Sequence, residues 1–377
     1  MLIRRLLLEN WRNFQRVDVP IAPRAFLGGP NASGKSNLLD AIRFLRDLAA
    51  VGGGLQDAVA RRGGASSIRS LAARRYSDVR ILVEVDDNNG DPWEYSVTFN
   101  QDRQRRPQVK SETVRRGART ILDRPSKEDE ADPARLTQTF LEQVNVNRDF
   151  RDLVTFFSSI RYLHVIPHLI REPDRWRSTE NDPFGSDLLE VIATTNERTK
   201  LSRLRRIQEA LRVAVPQLKE LELHRDEKGR PHLRGKYEHW RPQGAWQSEQ
   251  EFSDGTLRLL GLLWAVLEGS GPLLLEEPEL SLHSDVIRYL PQLLARVQQR
   301  SGRQLILSTH SRDLLLDRGI GLNEVLVLDP SSEGTSVQPA STFSEIVDLL
   351  DGGIPVADAV IPRTRPRHPE QLSFFAD

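Results

Sequence analysis

The chain has 377 residues, and its 53 lysines and arginines balance 53 aspartates and glutamates, so the formal charge is zero. A globally basic nucleic-acid coat is therefore excluded, and any contact with DNA must come from local patches. Cysteine is absent, which excludes disulfides, thiolate metal sites and a cysteine nucleophile. No window approaches 18 uncharged apolar residues, and charges occur early in the chain, unlike in a secretory signal. A cytoplasmic protein without a membrane partner is expected.

The first hundred residues are predicted to be strands that flank one long helix. The strands are predicted at residues 2–9, 14–19, 25–27, 79–85 and 93–99, the last two forming a hairpin. The apolar run at 25–27 enters a glycine-rich loop. An amphipathic helix is predicted from about residue 34 to residue 49, because its leucines and isoleucine share one face.

The middle of the chain gives weaker signals. Residues 101–133 are polar and rich in arginine, and they predict a loop or a poorly ordered segment. The remaining predictions are helices at 133–158 and 197–213, a buried strand at 160–166, a loop at 171–186 and a hairpin at 217–239. From residue 255 to about 350 helices and strands alternate, which is typical of an α/β sheet.

The segment GPNASGKSN fits the pattern G-x-x-x-x-G-K-[ST] in full, after an apolar run and before an amphipathic helix. Glycines let backbone N–H groups wrap phosphates, and the helix N-terminus adds positive potential. Lys35 can then reach the β- and γ-phosphates of ATP, and the Ser36 hydroxyl can ligate Mg²⁺. The alternative is a glycine-rich turn that caps an ordinary helix. The positions assigned to the nucleotide are Gly29, Asn31, Ala32, Ser33, Gly34, Lys35, Ser36 and Asn37.

A second candidate element lies more than 200 residues downstream, where the apolar run Pro272–Leu275 ends in acids. In a Walker B element the end of a buried strand delivers one carboxylate towards Mg²⁺, and the next acid polarises the attacking water. Glu276 is assigned to the metal and Glu277 to the general base. Taken alone, the acids would fit a solvated turn equally well.

Two further motifs flank this strand. Ser253 and Gly255 form a Ser-x-Gly turn before an apolar helix, and a helix N-terminus of this kind can bind an anion. Downstream, RQLILSTHS reads as a strand that ends at His310. A satisfied histidine at a strand end is the alternative interpretation of that residue.

In this order, the phosphate loop, the Ser-x-Gly turn, the paired acids and the strand-terminal histidine resemble an ABC-type ATPase. The segments LLLENWRNF, GKSNLLDAIRFL, FSDGTLRLL, EEPELSLH and STHS are similar to the SMC/RecF/OLD (overcoming lysogenization defect) branch of predicted AAA-family ATPases. After His310 only 67 residues of this sequence remain, too few for the Toprim nuclease that OLD proteins carry there, so a stand-alone ATPase is expected.

The resemblance implies roles for particular residues. Ser253 and Gly255 would contact the γ-phosphate of an ATP held by the other chain of a homodimer. Glu279–His283 would form the D-loop at the same interface, and His310 would sense the γ-phosphate. Arg12 would contact the nucleotide phosphates from the N-terminal strand. Catalysis would thus rest on Glu277 and His310, and ATP and Mg²⁺ would be the cofactors.

The sequence also departs from the pattern of transporter ATPases. Asp254 and Thr256 replace the glycine and the Gln or Glu of the transporter signature, so a transporter role is not inferred. Glu276 stands where aspartate is usual and is one methylene longer. Gln101 and Gln143 are both candidates for the Q-loop glutamine.

The resemblance implies an α/β fold, namely a P-loop ABC-type ATPase head with a mixed sheet core and a compact, mainly helical second lobe. Residues 1–130 and 255–350 would form the ATPase lobe, and residues 131–254 would form the inserted second lobe that ends in the signature motif. Prolines scattered between residues 107 and 242 argue against a long coiled coil. Residues 351–377 are predicted to be a flexible C-terminal tail.

Two regions suggest partners. Basic side chains cluster in residues 101–120 and again in residues 58–77, and such runs could follow a phosphate backbone or could be solvated loops. The segment Gln371–Phe375 reads QLSFF, which resembles a short peptide that binds the replication sliding clamp. Packing of this tail onto the body of the protein is the alternative.

Two functions follow from these patterns. The first is an ATP-hydrolysing switch that dimerises on ATP and acts on DNA or on a separate nuclease or effector subunit, in anti-phage defence or in DNA repair and genome maintenance. The second is an ATP-stabilised scaffold or regulator of a toxic effector protein, with little turnover.

Overall fold

The computed structural model describes residues 1–72, 78–87, 90–172, 182–240 and 245–365. Within these ranges the strands are β1 (Leu2–Trp11), β2 (Phe14–Pro20), β3 (Arg24–Gly28), β4 (Val79–Asp86), β5 (Trp93–Gln101), β6 (Pro107–Arg116), β7 (Arg119–Arg124), β8 (Arg161–Leu163), β9 (Leu218–Arg225), β10 (Pro231–Tyr237), β11 (Ala245–Ser248), β12 (Leu273–Glu276), β13 (Leu305–Thr309), β14 (Val325–Ser331) and β15 (Gly334–Pro339).

The helices in the same ranges are α1 (Lys35–Ala49), α2 (Leu55–Ala60), α3 (Ala65–Ile68), α4 (Lys127–Ala131), α5 (Arg151–Ser158), α6 (Pro167–Arg171), α7 (Leu188–Thr194), α8 (Glu197–Ala214), α9 (Asp254–Leu267), α10 (Ser284–Ile287), α11 (Leu290–Ser301), α12 (Arg312–Leu315), α13 (Ser344–Asp351) and α14 (Val356–Thr364). None of the helices in this described part of the chain has the length and apolar character needed to cross a bilayer.

The outer sheet is antiparallel and has the strand order β2-β1-β4-β5-β6-β7. Parts of its strands alternate buried and exposed side chains, as at the end of β2, where Val17 and Val19 are buried between exposed positions. This period of two is what the sequence predicted for the N-terminal strands, because a sheet with one buried face selects it.

The central sheet has the order β15-β14-β3-β13-β12-β8, and all its pairs except β14–β15 are parallel. Its inner strands β3, β12 and β13 are buried on both faces. In β12, Leu274 faces one hydrophobic core, and Leu273 and Leu275 face a second one. Covering both faces explains the continuous apolar runs in these strands. The mixed α/β sheet predicted from the sequence is confirmed.

Helix α1 lies between the two large sheets. Its leucines belong to the same hydrophobic core as the inner face of the outer sheet and one face of the central sheet. Phe44 of this helix packs against Trp11 and Phe99, with ring centroids 5.3 and 5.4 Å apart. The position of α1, and therefore of the loop that precedes it, is fixed from both sides.

The segment 131–254 contains both helices and strands. Helices α7 and α8 cover a three-stranded antiparallel sheet, β11-β10-β9, and share the second hydrophobic core with α9. The predicted helix at 197–213 and the hairpin at 217–239 are both present. Strand β8 of this segment pairs with β12, so the segment also contributes an edge strand to the central sheet. The proposed division of the chain into two lobes stays a prediction.

Two predictions for the middle of the chain were wrong. Residues 101–133 are not a loop, because β6 and β7 form a hairpin that extends the outer sheet. Some of the arginines that suggested a loop are paired across strands, for example Arg116, which stacks on Trp93 and contacts Asp87 at 3.3 Å. Residues 133–158 are helical only at Pro133–Thr137, Arg148–Phe150 and α5. The tail peptide Gln371–Phe375 and most of the loop 171–186 lie outside the described residues.

A buried ion cluster stabilises the end of the β6–β7 hairpin. The Arg124 guanidinium donates to Glu112 at 2.9 Å and, through two nitrogens, to Asp129 at 3.0 Å. All three side chains are inaccessible to solvent. The bond from Arg124 holds the pKa of Asp129 below its usual value, whereas burial raises the pKa of Glu112. Because buried charges need partners, each side chain depends on the others.

Candidate nucleotide site

The phosphate loop runs from the end of β3 into α1. Ala32 and Gly34 have positive φ angles of 62° and 97°, a left-handed conformation that is common in loops whose backbone N–H groups bind anions. Ser33 is buried and its hydroxyl has no hydrogen-bond partner among the described residues. Asn31 is exposed at the apex of the loop. The predicted P-loop geometry is therefore present, and its unsatisfied polar atoms fit a site that receives phosphate.

One asparagine outside the motif braces this loop. Asn13, in the turn between β1 and β2, donates to the carbonyl of Ser33 and to the Thr335 hydroxyl, both at 2.8 Å. The side-chain carbonyl oxygen of Asn13 accepts a hydrogen bond from the side-chain amide of Asn37 at 2.7 Å. The loop is thus tied to the outer sheet and to β15. The sequence analysis missed Asn13, because no motif marks it.

Lys35 begins α1 and is buried. Its ammonium group donates to the carbonyls of Gly29 and Pro30, each at 3.0 Å. Burial lowers the pKa of Lys35 to about 8, opposed by the nearby Glu277 and Glu276. These two carbonyls are neutral hydrogen-bond acceptors, and a nucleotide phosphate would give the ammonium group an anionic partner.

The two predicted metal ligands meet at the end of β12. The Ser36 hydroxyl donates to one carboxylate oxygen of Glu276, and the Tyr162 hydroxyl donates to the other. Burial raises the pKa of Glu276, and the bond from Ser36 opposes this rise. A hydroxyl and a carboxylate oxygen are ligands that Mg²⁺ accepts alongside phosphate oxygens and water. Within the described ranges no cluster of three or more histidine, aspartate or glutamate side chains forms a metal site by itself, so the nucleotide would have to supply the remaining ligands.

Glu277 and His310 lie together at the carboxyl ends of two neighbouring parallel strands. The Nε2 atom of His310 is 3.2 Å from a carboxylate oxygen of Glu277. The hydrogen bond from His310 is the main cause that lowers the pKa of Glu277. The backbone of Glu277 has a positive φ of 43°, and its N–H donates to Ser308. An ionised carboxylate is therefore held at the place where the resemblance predicts the general base.

Glu279 supports the loop after β12 from inside the protein. It is buried, and one carboxylate oxygen accepts from the Thr309 hydroxyl at 2.5 Å and from the His310 backbone N–H at 3.2 Å. Its other oxygen is buried without a hydrogen-bond partner in the described part of the chain. Burial raises the pKa of Glu279. This residue joins the predicted D-loop to the strand of the predicted switch histidine.

The predicted signature turn faces outward. Ser253 is exposed and caps α9, accepting from the Thr256 backbone N–H at 3.2 Å. A Cβ atom on Gly255 would lie 2.4 Å from the carbonyl oxygen of Ser281, so only glycine permits this close packing against the predicted D-loop. Asp254 accepts from Arg171 at 2.6 Å. The turn contacts the predicted D-loop of its own chain, and Ser253 lies at the surface.

Other predicted positions are less closely tied to the loop. Arg12 has a φ of 53° and pairs with Asp40 of α1 at 3.5 Å, and its contact with phosphate stays a prediction. Gln101 bonds to Ser66, and Gln143 bonds to Gln138.

Three further residues lie at the site, and no sequence motif predicted them. Tyr162 donates to Glu276, and His164 contacts the backbone carbonyl of Glu276 at 3.3 Å. Arg258 of α9 lines a small cavity with Glu276 and Glu277, and its Nε atom is buried without a partner among the described residues. The roles assigned to the site residues stay predictions, although the structure gathers most of them in one place.

Comparison with protein families gives two matches. The model described as "AAA domain, putative AbiEii toxin, Type IV TA system" matches residues 25–317, which include the phosphate loop, the paired acids and His310. The model described as "P-loop containing region of AAA domain" matches residues 3–45.

Curated relatives share a short region with the chain. DNA replication and repair protein RecF of Clavibacter sepedonicus is 36% identical over 87 residues, which are 22% of this chain and 21% of the relative. The RecF protein of Brucella abortus (strain 2308) is 39% identical over 83 residues, 21% and 22% of the two chains. The chain thus spans about a fifth of the length of these relatives, and their activities are not transferred to it by the match.

Solved structures match over most of the chain. An Smc head bound to the C-winged helix domain of ScpA has a TM-score of 0.53 at 15% identity, with 89% of this chain and 97% of that one covered. A Pyrococcus furiosus Smc head with an extended coiled coil, bound to the C-terminal domain of ScpA, has a TM-score of 0.53 at 12% identity, with coverages of 93% and 99%. At these identities the likeness shows the fold alone. Because the first family model covers well over half of the chain, the protein belongs to the P-loop AAA-domain family described as "AAA domain, putative AbiEii toxin, Type IV TA system"; it is similar to RecF proteins over about a fifth of its length and to SMC heads in fold.

Proposed function

We propose that this protein binds and hydrolyses ATP with Mg²⁺ and uses the cycle to close and reopen a homodimer. The observation that carries the proposal is the convergence of three elements. Ser36 at the start of α1 bonds to Glu276 at the end of β12, and Glu277 beside it lies 3.2 Å from His310 at the end of β13. Such convergence at the carboxyl ends of parallel strands fits phosphoryl-transfer chemistry.

Each residue has a defined task in this proposal. Lys35 and the loop N–H groups bind the triphosphate, and Ser36 and Glu276 hold the metal ion, which would neutralise phosphate charge when bound. Glu277 accepts a proton from the attacking water, a task that suits a carboxylate kept ionised by its neighbour. His310 orients Glu277 and senses the γ-phosphate.

The second copy would complete the site. The exposed Ser253, whose hydroxyl caps α9, and the N-terminus of this 14-residue helix form a surface suited to an anion. In its own chain this turn packs on Ser281 of the D-loop. Binding of a γ-phosphate from the other subunit would therefore involve signature and D-loop together, which supports an ATP-dependent dimer.

The proposed output is engagement of DNA or control of a separate nuclease or effector, in anti-phage defence or in genome maintenance. The relatives named as DNA replication and repair proteins support a DNA role. Arg103 and Arg105 in the β5–β6 turn, Lys110 on β6 and Arg119 on β7 are exposed and could contact a phosphate backbone. The basic run at residues 58–77 gives weaker support to a DNA role, since Arg62 is buried against acidic residues of α1.

A second function has one observation in its favour. The family description names a putative AbiEii toxin and a type IV toxin–antitoxin system. This supports the reading in which ATP is structural and the protein scaffolds or restrains a toxic effector. Clamp binding through Gln371–Phe375 remains a separate proposal, tested by deleting that segment and measuring affinity for the clamp.

The deciding experiment measures steady-state ATP hydrolysis and dimerisation, each with and without linear duplex DNA. Glu277→Gln should lower turnover by about 10² to 10⁴-fold, the usual share of a general base, and should accumulate an ATP-bound dimer detectable by light scattering. Glu345→Gln, an exposed glutamate of α13, is the matched control and should hydrolyse normally. Unchanged turnover in Glu277→Gln would refute the hydrolytic role. Low wild-type turnover, unaffected by DNA, together with a partner at fixed stoichiometry, would favour the scaffold.

A further inference from the structure

An open groove lies on the face formed by α8, α9 and the segment from α10 to α11. Its volume is about 640 Å³, within the range of pockets that bind ligands or side chains of a partner. The lining includes Leu259 and Leu263 from α9 and Leu290, Leu293 and Val297 from α11. The groove is thus walled by helices and has an aliphatic floor.

Large apolar side chains at this groove remain in contact with solvent. Val213 at the end of α8 is 78% exposed, and Tyr289 just before α11 is 66% exposed. Apolar side chains left in water around a concave surface are typical of a binding site. Each would be covered by an occupant that lies along the groove.

The rim of the groove is positively charged. Arg206 of α8 and Arg296 and Arg300 of α11 are all exposed, and none of them forms an ion pair within the described residues. The acid on the rim, Asp285, is 3.6 Å from Arg288, which partly neutralises it. An occupant would therefore meet an aliphatic floor between arginines that form no ion pair with any residue that the structure describes.

We propose that this groove binds an acidic amphipathic helix of a separate protein. The aliphatic floor selects apolar side chains at helical spacing, and the arginine rim selects carboxylates on either side of them. Helix α11, with 12 residues, is about 18 Å long. A bound helix of three to four turns would follow it and cover both Val213 and Tyr289.

The location of the groove gives such a partner access to the nucleotide site. Helix α9 starts directly after Ser253 of the predicted signature, and α10 follows the predicted D-loop Glu279–His283. A helix in the groove would contact both elements at once, so its binding should change ATP turnover. This consequence rests on the proposed function, whereas binding itself requires no nucleotide.

The test uses a designed peptide as the probe. A fluorescein-labelled peptide of about 18 residues carries leucines at positions i, i+3, i+4 and i+7, glutamates on either side of them and alanines elsewhere, and a matched peptide has lysine in place of every glutamate. Fluorescence anisotropy with the full chain, without nucleotide, should show the acidic peptide binding at least about tenfold more tightly than the basic one. The triple variant Arg206→Glu, Arg296→Glu, Arg300→Glu should reverse this preference.

The matched control is Arg205→Glu, an exposed arginine of α8 that does not line the groove, and its preference should equal that of the wild type. Circular dichroism melts confirm that each variant folds. Equal binding of both peptides to the wild type would overturn the proposal, as would an unchanged preference in the triple variant. If deleting residues 366–377 raised the affinity for the acidic peptide about tenfold, the groove would be assigned to the chain's own tail. A nucleotide-free dimer abolished by Tyr289→Asp would assign it to a second copy; either result overturns the proposal.

Discussion

Binding of ATP should weaken as the pH rises above 8, because Lys35 loses its proton there. Burial lowers the pKa of Lys35 to about 8 in the protein without nucleotide. Phosphate beside the ammonium group would raise that pKa, since an opposite charge favours the charged form. Above pH 8 the complex therefore keeps a proton that the free protein loses. The affinity for ATP is at its maximum well below pH 8 and falls as the pH rises through 8.

The size of the effect follows from the fraction of Lys35 that is protonated. With a pKa of about 8, this fraction is about 0.9 at about pH 7 and about 0.03 at about pH 9.5. If only the protonated form binds, the dissociation constant should increase about 30-fold across this range.

A fluorescent ATP analogue titrated with Mg²⁺ at several pH values between 7 and 9.5 provides the assay. The matched variant is Lys35→Arg, because an arginine stays charged throughout this range. Its affinity is expected to be lower than that of the wild type but independent of pH. A wild-type affinity as flat as that of Lys35→Arg would refute the argument that burial of this lysine controls the nucleotide site.

The remaining predictions concern two glycines and the buried ion cluster. Gly34→Ala should weaken ATP binding at least about tenfold, because the new Cβ would lie 2.2 Å from the amide of Asn13 at a φ of 97°. Gly255→Ala should leave ATP binding unchanged but lower turnover at least about tenfold, since its Cβ would lie 2.4 Å from the Ser281 carbonyl at the proposed dimer interface. Arg124→Ala should reduce the free energy of unfolding in urea by about 3–5 kcal/mol, because it leaves the buried Glu112 without its counter-charge and Asp129 with only Arg135.

The chain offers a matched control for these variants. Gly229 has a φ of 79° but open space around it, so Gly229→Ala should bind ATP normally. Arg119 is exposed, and Arg119→Ala should unfold like the wild type. Normal ATP binding in Gly34→Ala would contradict the first prediction, and normal turnover in Gly255→Ala would contradict the second. A stability loss below about 1 kcal/mol in Arg124→Ala would show that the cluster contributes little.

The parts of the site that the sequence predicted are those encoded by contiguous residues. The phosphate loop and the acids Glu276 and Glu277 each occupy a short segment whose spacing already implies a strand, a turn and a helix. Tyr162 and His164 escaped prediction for a physical reason. They reach Glu276 only because β8 pairs with β12, and nothing in the sequence near residue 162 specifies a partner more than a hundred positions away.

The wrongly predicted loop at 101–133 has a similar cause. Arg115 lies 3.6 Å from Glu94 of β5, and Arg124 is buried between Glu112 and Asp129. A short stretch of sequence contains only the run of arginines, whereas the acids that pair with them come from other segments of the fold. Charge patterns alone cannot distinguish a solvated loop from strands whose charges are paired across the sheet.

The bracing of the phosphate loop by Asn13 has a consequence for genetics. A single side-chain amide in the β1–β2 turn fixes the carbonyl of Ser33, the amide of Asn37 and the hydroxyl of Thr335. Variants at position 13 should therefore leave the protein abundant in cells yet inactive, as is also expected for substitutions in the loop itself. In a saturation mutagenesis screen, this turn residue would group with Lys35 and Ser36 rather than with the strands on either side of it.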